Sequence, residues 1–261
     1  MNISGSILKL KRKVKNVLVC KKLNLYREID IQVEKLGTEY GGWYIPINFL
    51  NDRSICYLAG AGTDISFDVA IIEKYGSNVY IFDPTPKAKK HVENLKYNTR
   101  LNIPTQIGSV ENSFYHLKSA DIDKIKFFDL GLWVEKGMIK FYKPRNPDHV
   151  SHSILNIQKT ADFIELPVER LRNVMNDLKH DTIDLLKMDI EGAEYKVIQS
   201  ILEDQIAVKV ICIEFDEITN PIDDHSTLRI RKAIIDLKNA GFKIGHIDDN
   251  LNIMLAHKDY F

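Results

Sequence analysis

The chain has 261 residues, in which 36 lysines and arginines balance 36 aspartates and glutamates. That length suits one large domain with a sizeable core, and zero net charge argues against a general pull toward nucleic acid or acidic surfaces. No apolar run approaches the roughly 18 residues a membrane span needs, and three scattered cysteines, Cys20, Cys56 and Cys212, form no CxxC pair, so neither a disulfide framework nor a zinc cluster is indicated.

The first segment, ISGSILKLKRKVKNVLVCKK, carries seven lysines and arginines and no acid. Ile7, Leu10, Val14, Val17 and Leu18 fall at helical spacing, which predicts a basic amphipathic helix. Such helices are most often solvated and packed on their domain. The sharper reading is loose attachment to an anionic bilayer, which would place a cytoplasmic protein at the inner membrane face. Residues 1–36 are therefore read as a basic helical extension and residues 37–261 as the functional domain.

From Ile55 onward short apolar runs alternate with helical patterns. ICYLA (55–59), VYIF (79–82) and IKFFDLGLW (125–133) read as strands. Between them lie a helix stopped by Gly76 and a helix with Thr85 as N-cap and Pro86 at its first position. EKGMIKFYKP and SHSILNI look like a hairpin arm and an extended excursion, with Pro144 and Pro147 marking loops. Strand–helix alternation then resumes through TIDLLKMD and KVICIEFDE, and FKIGHID with LNIMLAH resembles a terminal hairpin. Continuous apolar strands alternating with helices mean a doubly wound α/β fold, with a mostly parallel sheet covered on both faces and an antiparallel edge hairpin. Ligands in such folds sit beyond the carboxyl ends of the strands.

Two motifs stand at those ends. In YLAGAGTD, Gly60, Ala61 and Gly62 join the first strand to its helix, where a backbone without side chains can lie close to a ligand. Asp83 ends the second strand, 23 residues after Gly60, where a carboxylate can accept both hydroxyls of a ribose. This pairing favours a ribose-containing cofactor without separating NAD from S-adenosylmethionine. In LLKMDIEGAE, Lys187, Asp189 and, if extended geometry lasts, Glu191 would share one side of a strand. A lysine in a buried strand needs a partner, and Asp189 is the nearest candidate. CIEFDE puts Glu214 and Asp216 at the next rim. Two neighbouring strands ending in acids make a negative cleft, which suits a sulfonium and repels a pyrophosphate.

LLKMDIEGAE, with the glycine-bearing strand end upstream and CIEFDE downstream, resembles the FkbM family of S-adenosylmethionine-dependent methyltransferases. The segments GTEYGGWYIP, ISFD, FDPTP, GLWVEKGMIKFYKP and HVSHSI extend the likeness, from about residue 40 to about residue 215. The resemblance implies a seven-stranded, Rossmann-like methyltransferase fold and O-methylation of a sugar, glycan or glycolipid precursor, or of a secondary metabolite. It also matches Gly60 and Gly62 to the cofactor loop, Asp83 to the ribose acid and Asp189 to the acid of the DxEG signature. The sequence departs from the family where the acid inside the first strand is Leu58 and a later loop glycine is Asp64; Asp64 is then a candidate for the ammonium of the methionine moiety.

Catalysis would need a general base for the acceptor hydroxyl. Asp189, Glu191 and His152 are the candidates, His152 being flanked by two serines in a polar loop. Trp133, taken as following the third strand's rim, is a candidate surface for adenine. No ligand spacing points to a metal. The acceptor is expected to be a small molecule or glycan, with nucleic acid disfavoured. The competing readings are a non-catalytic binding module that keeps the fold, kept alive by Leu58 and Asp64, and a nicotinamide-linked oxidoreductase, opposed by the acidic cleft and the incomplete GxGxxG.

Overall fold

The computed structural model describes residues 3–108, 111–143, 153–155 and 160–261, with residues 3–11 described as backbone alone. The chain opens with helix α1 (Ile3–Leu23) and a small antiparallel pair, β1 (Val33–Leu36) and β2 (Trp43–Pro46). Then come β3 (Ile55–Ala59), α2 (Ser66–Tyr75), β4 (Asn78–Phe82), α3 (Pro86–Arg100) and β5 (Ile125–Phe128). Three further strands, β6 (Gly131–Trp133), β7 (Gly137–Tyr142) and β8 (Phe163–Arg170), precede α4 (Leu171–Leu178). The second half continues with β9 (Thr182–Met188), α5 (Glu194–Glu203), β10 (Ala207–Ile213), α6 (Ser226–Asn239), β11 (Phe242–Ile247) and β12 (Ile253–His257).

The central sheet has seven strands in the order β11-β12-β10-β9-β3-β4-β5. Strands β10, β9, β3, β4 and β5 run parallel, and β12 is antiparallel to both its neighbours. The terminal hairpin does form the edge, but it is the last strand that inserts next to β10, leaving β11 outermost. Alternate residues of the buried strands face opposite sides. Tyr57, Ala59, Leu186 and Met188 join one core with Val197, Ile201 and Ile234 of α5 and α6. Cys56, Leu58 and Leu185 join the other with Ile72, Val92 and Leu95 of α2 and α3. Period-2 patterning is thus apolar on both faces, as a sheet sandwiched between helices requires.

Three expectations need correction. The apolar run 125–133 is not one strand. It breaks at Asp129 and Leu130, where the Leu130 N–H folds back onto the Phe128 carbonyl at 2.8 Å. Beyond the break, β6 leaves the main sheet for a three-stranded one, ordered β6-β8-β7. The boundary at residue 36 cuts through the β1–β2 pair, in which Val33 faces Pro46 and Leu36 faces Trp43. Leu23 and Leu25 are buried in the main core, so the extension is tied to the domain from its helix end onward. Finally, β9 stops at Met188 and Glu191 has φ +53°, so extended geometry does not last to Glu191. Among the described residues no helix is long and apolar enough to cross a membrane.

Candidate active site

Chain order winds outward in both directions from β3 and β9, so their carboxyl ends mark the switch point of the sheet. The two rims touch there. A Cβ built on Gly60, which has φ +85°, would lie 1.8 Å from the Asp189 carbonyl oxygen. Only glycine fits, and for two independent reasons: the backbone conformation and the approach of another backbone. The ladder closes around it, with the Asp189 N–H donating to the Ala59 carbonyl at 3.2 Å and the Gly60 N–H to the Phe82 carbonyl at 3.0 Å.

Asp83 follows β4 and is 6% exposed. Its Oδ2 accepts from the backbone N–H groups of Ala61 (2.9 Å) and Gly62 (3.0 Å), and its Oδ1 from the Thr85 N–H (2.8 Å) and hydroxyl (2.6 Å). A carboxylate has about four acceptor positions, and protein donors use that many here. Asp83 is therefore the clamp that shapes the glycine loop. A ribose could engage it only by displacing one of these donors. Thr85 occupies the N-cap position of α3 with Pro86 next, as expected, yet its hydroxyl serves Asp83 and makes no cap bond. Asp64 is held similarly: its Oδ2 accepts from the Thr38 hydroxyl at 2.8 Å and its Oδ1 from the Ser66 N–H at 2.9 Å. These bonds leave each Asp64 oxygen one acceptor position toward the cavity it lines.

Lys187 has the partner expected of it. It is 6% exposed, its Nζ lies 3.3 Å from Asp189 Oδ2, and it donates to the Gly60 carbonyl at 2.5 Å. The same Nζ sits 5.5 Å from the centre of the Trp43 ring. One ammonium thus ties the glycine loop to the acid after β9. The next turn is built by Glu194, fully buried, which accepts from the N–H groups of Ile190 (2.8 Å) and Gly192 (2.9 Å). Leu155 covers Gly192, leaving no room for a Cβ there.

Asp189, Glu191, Glu214 and Asp216 line one cavity of about 1010 Å³, together with Gly60, Ala61, Gly62 and Asp83. Burial pushes the Glu214 carboxyl up to about 8, and the Asp189 charge pushes the same way. Burial also raises Asp216, reinforced by Glu191 and Glu194, and its Oδ2 is buried with no hydrogen-bond partner. Tyr40, which lines the cavity, is raised by burial and then by the Asp189 charge. A cleft of mutually repelling, partly desolvated carboxylates is a site for a cation. Among the described residues no group of three or more His, Cys, Asp or Glu side chains could hold a metal ion.

Of the expected site residues, Gly60, Ala61, Gly62, Asp64, Asp83, Asp189 and Glu191 come together around this cavity. Trp133 does not line it. The break after β5 carries Trp133 into the small sheet opposite Arg170, where it packs on the core, while its neighbours Gly131 and Leu132 reach the cavity wall. His152, like His149, lies outside the described residues. Sequence reasoning missed Asn252, at 7% exposure with an unpartnered buried Oδ1, and Arg12, Lys15 and Asn16 of α1, all of which line the same cavity. The basic helix was legible; its position, more than 230 residues from the hairpin it meets, was not.

The model of the methyltransferase FkbM domain matches residues 58–244. That span runs from β3 to β11 and holds the glycine loop, Asp83 and the acids of the rim. No curated protein and no solved structure matches the chain at a significant level.

Proposed function

Because this chain belongs to the methyltransferase FkbM family, we propose that its cavity binds S-adenosylmethionine and directs methyl transfer to a hydroxyl of a sugar, glycan or glycolipid precursor, or of a secondary metabolite. The observation that carries this reading is the set of carboxylates at the switch point, Asp189, Glu191, Glu214 and Asp216, lining the same cavity as the glycine loop Gly60–Gly62. When bound, the cofactor supplies a methyl group on a cationic sulfur, which leaves as a neutral thioether.

The protein's part is to position and to manage charge. In-line transfer needs the reacting atoms roughly 3 Å apart, and a rigid wall supplies much of the acceleration. Gly60, fixed by the Asp189 carbonyl, and the Asp83 clamp provide that rigidity on one side. Asp189 and Glu191 are the described candidates to take the acceptor proton as the new O–C bond forms. Burial, reinforced by the Asp189 charge, raises the Glu214 carboxyl to about 8, so it takes up a proton more readily than an ordinary glutamate and a bound cation would favour its release. Carboxylates around the sulfur contribute more to binding a cation than its neutral product, which favours exchange of the spent cofactor for a fresh one. The non-catalytic alternative now draws on Asp83, whose acceptor positions are already taken.

Two measurements test the reading. Calorimetry should register binding of S-adenosylmethionine and of S-adenosylhomocysteine, and purified protein with methyl-labelled cofactor should label a small-molecule or glycan fraction of a cell extract. Asp189→Asn should lower both. Binding without transfer to any fraction would support the non-catalytic alternative, and no binding of either nucleoside would end the proposal.

A further inference from the structure

The cavity wall carries both signs of charge in different elements. The acids of the rim lie at the carboxyl ends of β9 and β10, whereas another part of the wall is made by Arg12, Lys15 and Asn16 of α1. Helix α1 contains no acidic residue. It is held at this place by specific bonds: the Arg12 guanidinium donates to the Asp249 carbonyl at 3.2 Å and to the Asn250 side chain, and Asn16 Nδ2 donates to the Asp249 carbonyl at 2.7 Å. Further along the helix, Arg231 of α6 donates to the Lys22 carbonyl. The partners of Arg12 are neutral oxygens, and Asp249, which also lines the cavity, forms no ion pair with it. Among the described residues no carboxylate forms an ion pair with Lys15, which is exposed.

Asn252 stands in the turn that joins β11 to β12. It lines the cavity, and its side-chain oxygen is buried without a hydrogen-bond partner. A buried amide oxygen left without a partner is destabilising, and a donor brought by a ligand would relieve it. A cavity of about 1010 Å³ also exceeds what one nucleoside needs.

We propose that α1 completes an acceptor subsite for a hydroxyl compound bearing a phosphate or pyrophosphate, with Arg12 and Lys15 holding the anion and Asn252 a polar group. This rests on the methyltransferase reading and deepens it. The charge arrangement orients the acceptor: the anion is repelled by Asp189 and Glu191 and attracted to α1, so the hydroxyl end points to the carboxylates that take its proton. The phosphate could belong to a soluble sugar phosphate or to a lipid-linked precursor; the exposed Val14, Val17 and Leu18 on α1 keep the second source open to test.

The test uses the full chain saturated with S-adenosylhomocysteine and inorganic pyrophosphate as probe. Pyrophosphate should bind with an affinity that falls as salt rises. Lys15→Gln should weaken it about fivefold, and the Arg12→Gln/Lys15→Gln pair further, with nucleoside affinity unchanged. The single Lys15 variant guards against displacement of the helix by loss of the Arg12 bonds. Vesicles of phosphatidylglycerol, against phosphatidylcholine, identify the source: Lys15-dependent binding to the former indicates a membrane-borne acceptor, and its absence a soluble one. No pyrophosphate binding in protein that binds the nucleoside, or binding indifferent to both variants, overturns the subsite alone. Failure to bind the nucleoside strikes the underlying reading instead.

Discussion

Replacing Asp83 by asparagine keeps shape and removes one charge and one acceptor. The best arrangement leaves the amide oxygen facing the Ala61 and Gly62 N–H groups and turns the amide nitrogen to Thr85. The Thr85 hydroxyl can rotate to accept, but the Thr85 N–H then opposes another donor. An orphaned buried donor costs about 1–3 kcal/mol, and two bonds weakened from charged to neutral lose about 1 kcal/mol each. The sum is about 3–5 kcal/mol. At about 2–3 °C per kcal/mol for a chain of this size, the thermal midpoint should fall by roughly 6–15 °C. Differential scanning calorimetry reads that directly, and calorimetric titration well below the midpoint reads nucleoside affinity. An unchanged midpoint would refute the clamp. A lowered midpoint with intact affinity would show that Asp83 supports the loop and never meets a ribose.

Gly60→Ala should be worse for stability than a typical core change, because the intruding Cβ meets backbone and no side chain can swing aside; a midpoint within 2 °C of wild type, roughly 1 kcal/mol, would contradict the contact with Asp189. Lys187→Met leaves Asp189 unpaired, and since that carboxylate is about a third exposed the cost should be about 1–3 kcal/mol; adding Asp189→Asn should recover part of it in a double-mutant cycle, and strict additivity would deny the pair. The raised Glu214 carboxyl gives a pH test. Its folded pKa lies above the ordinary carboxylate range, so its contribution to stability is full below that range and is lost as pH rises to about 8. A bound cation reverses the preference, so the affinity of S-adenosylmethionine relative to S-adenosylhomocysteine should increase between pH 6 and 8.5. A flat ratio would mean that the sulfur is not near Glu214.

The parts of the fold legible in the sequence were those set by local pattern. Strands β3, β4, β9 and β10 are apolar on both faces, Gly76 ends α2 with φ +72°, and Lys187 needed a partner, for which Asp189 was the nearest candidate. The break at Asp129 was hidden because an apolar run carries no mark of where a strand changes sheet, and Trp133 was misplaced with it. Asp83 was found as a site residue, but the number of donors already on its carboxylate is a three-dimensional fact. The role of Glu194 was not legible either: the tight turn after β9, with Glu191 at positive φ, folds two N–H groups onto its carboxyl group. The contribution of α1 to the cavity depends on a contact between the two ends of the chain, which no window along the sequence spans.

That contact has a consequence for how the protein is made. Arg12 leaves the ribosome early, but the turn it grips, at Asp249 and Asn250, comes 237 and 238 residues later. At ordinary translation speeds this is a wait on the order of 10–50 s. Through that interval a cationic helix whose Val19, Cys20 and Leu23 pack on the finished core has no docking place, and the edge of β10 stays open until Ile253–His257 slots in beside it. The newborn chain therefore keeps these apolar and edge surfaces open for long, and chaperone demand should peak just before the β12 segment emerges.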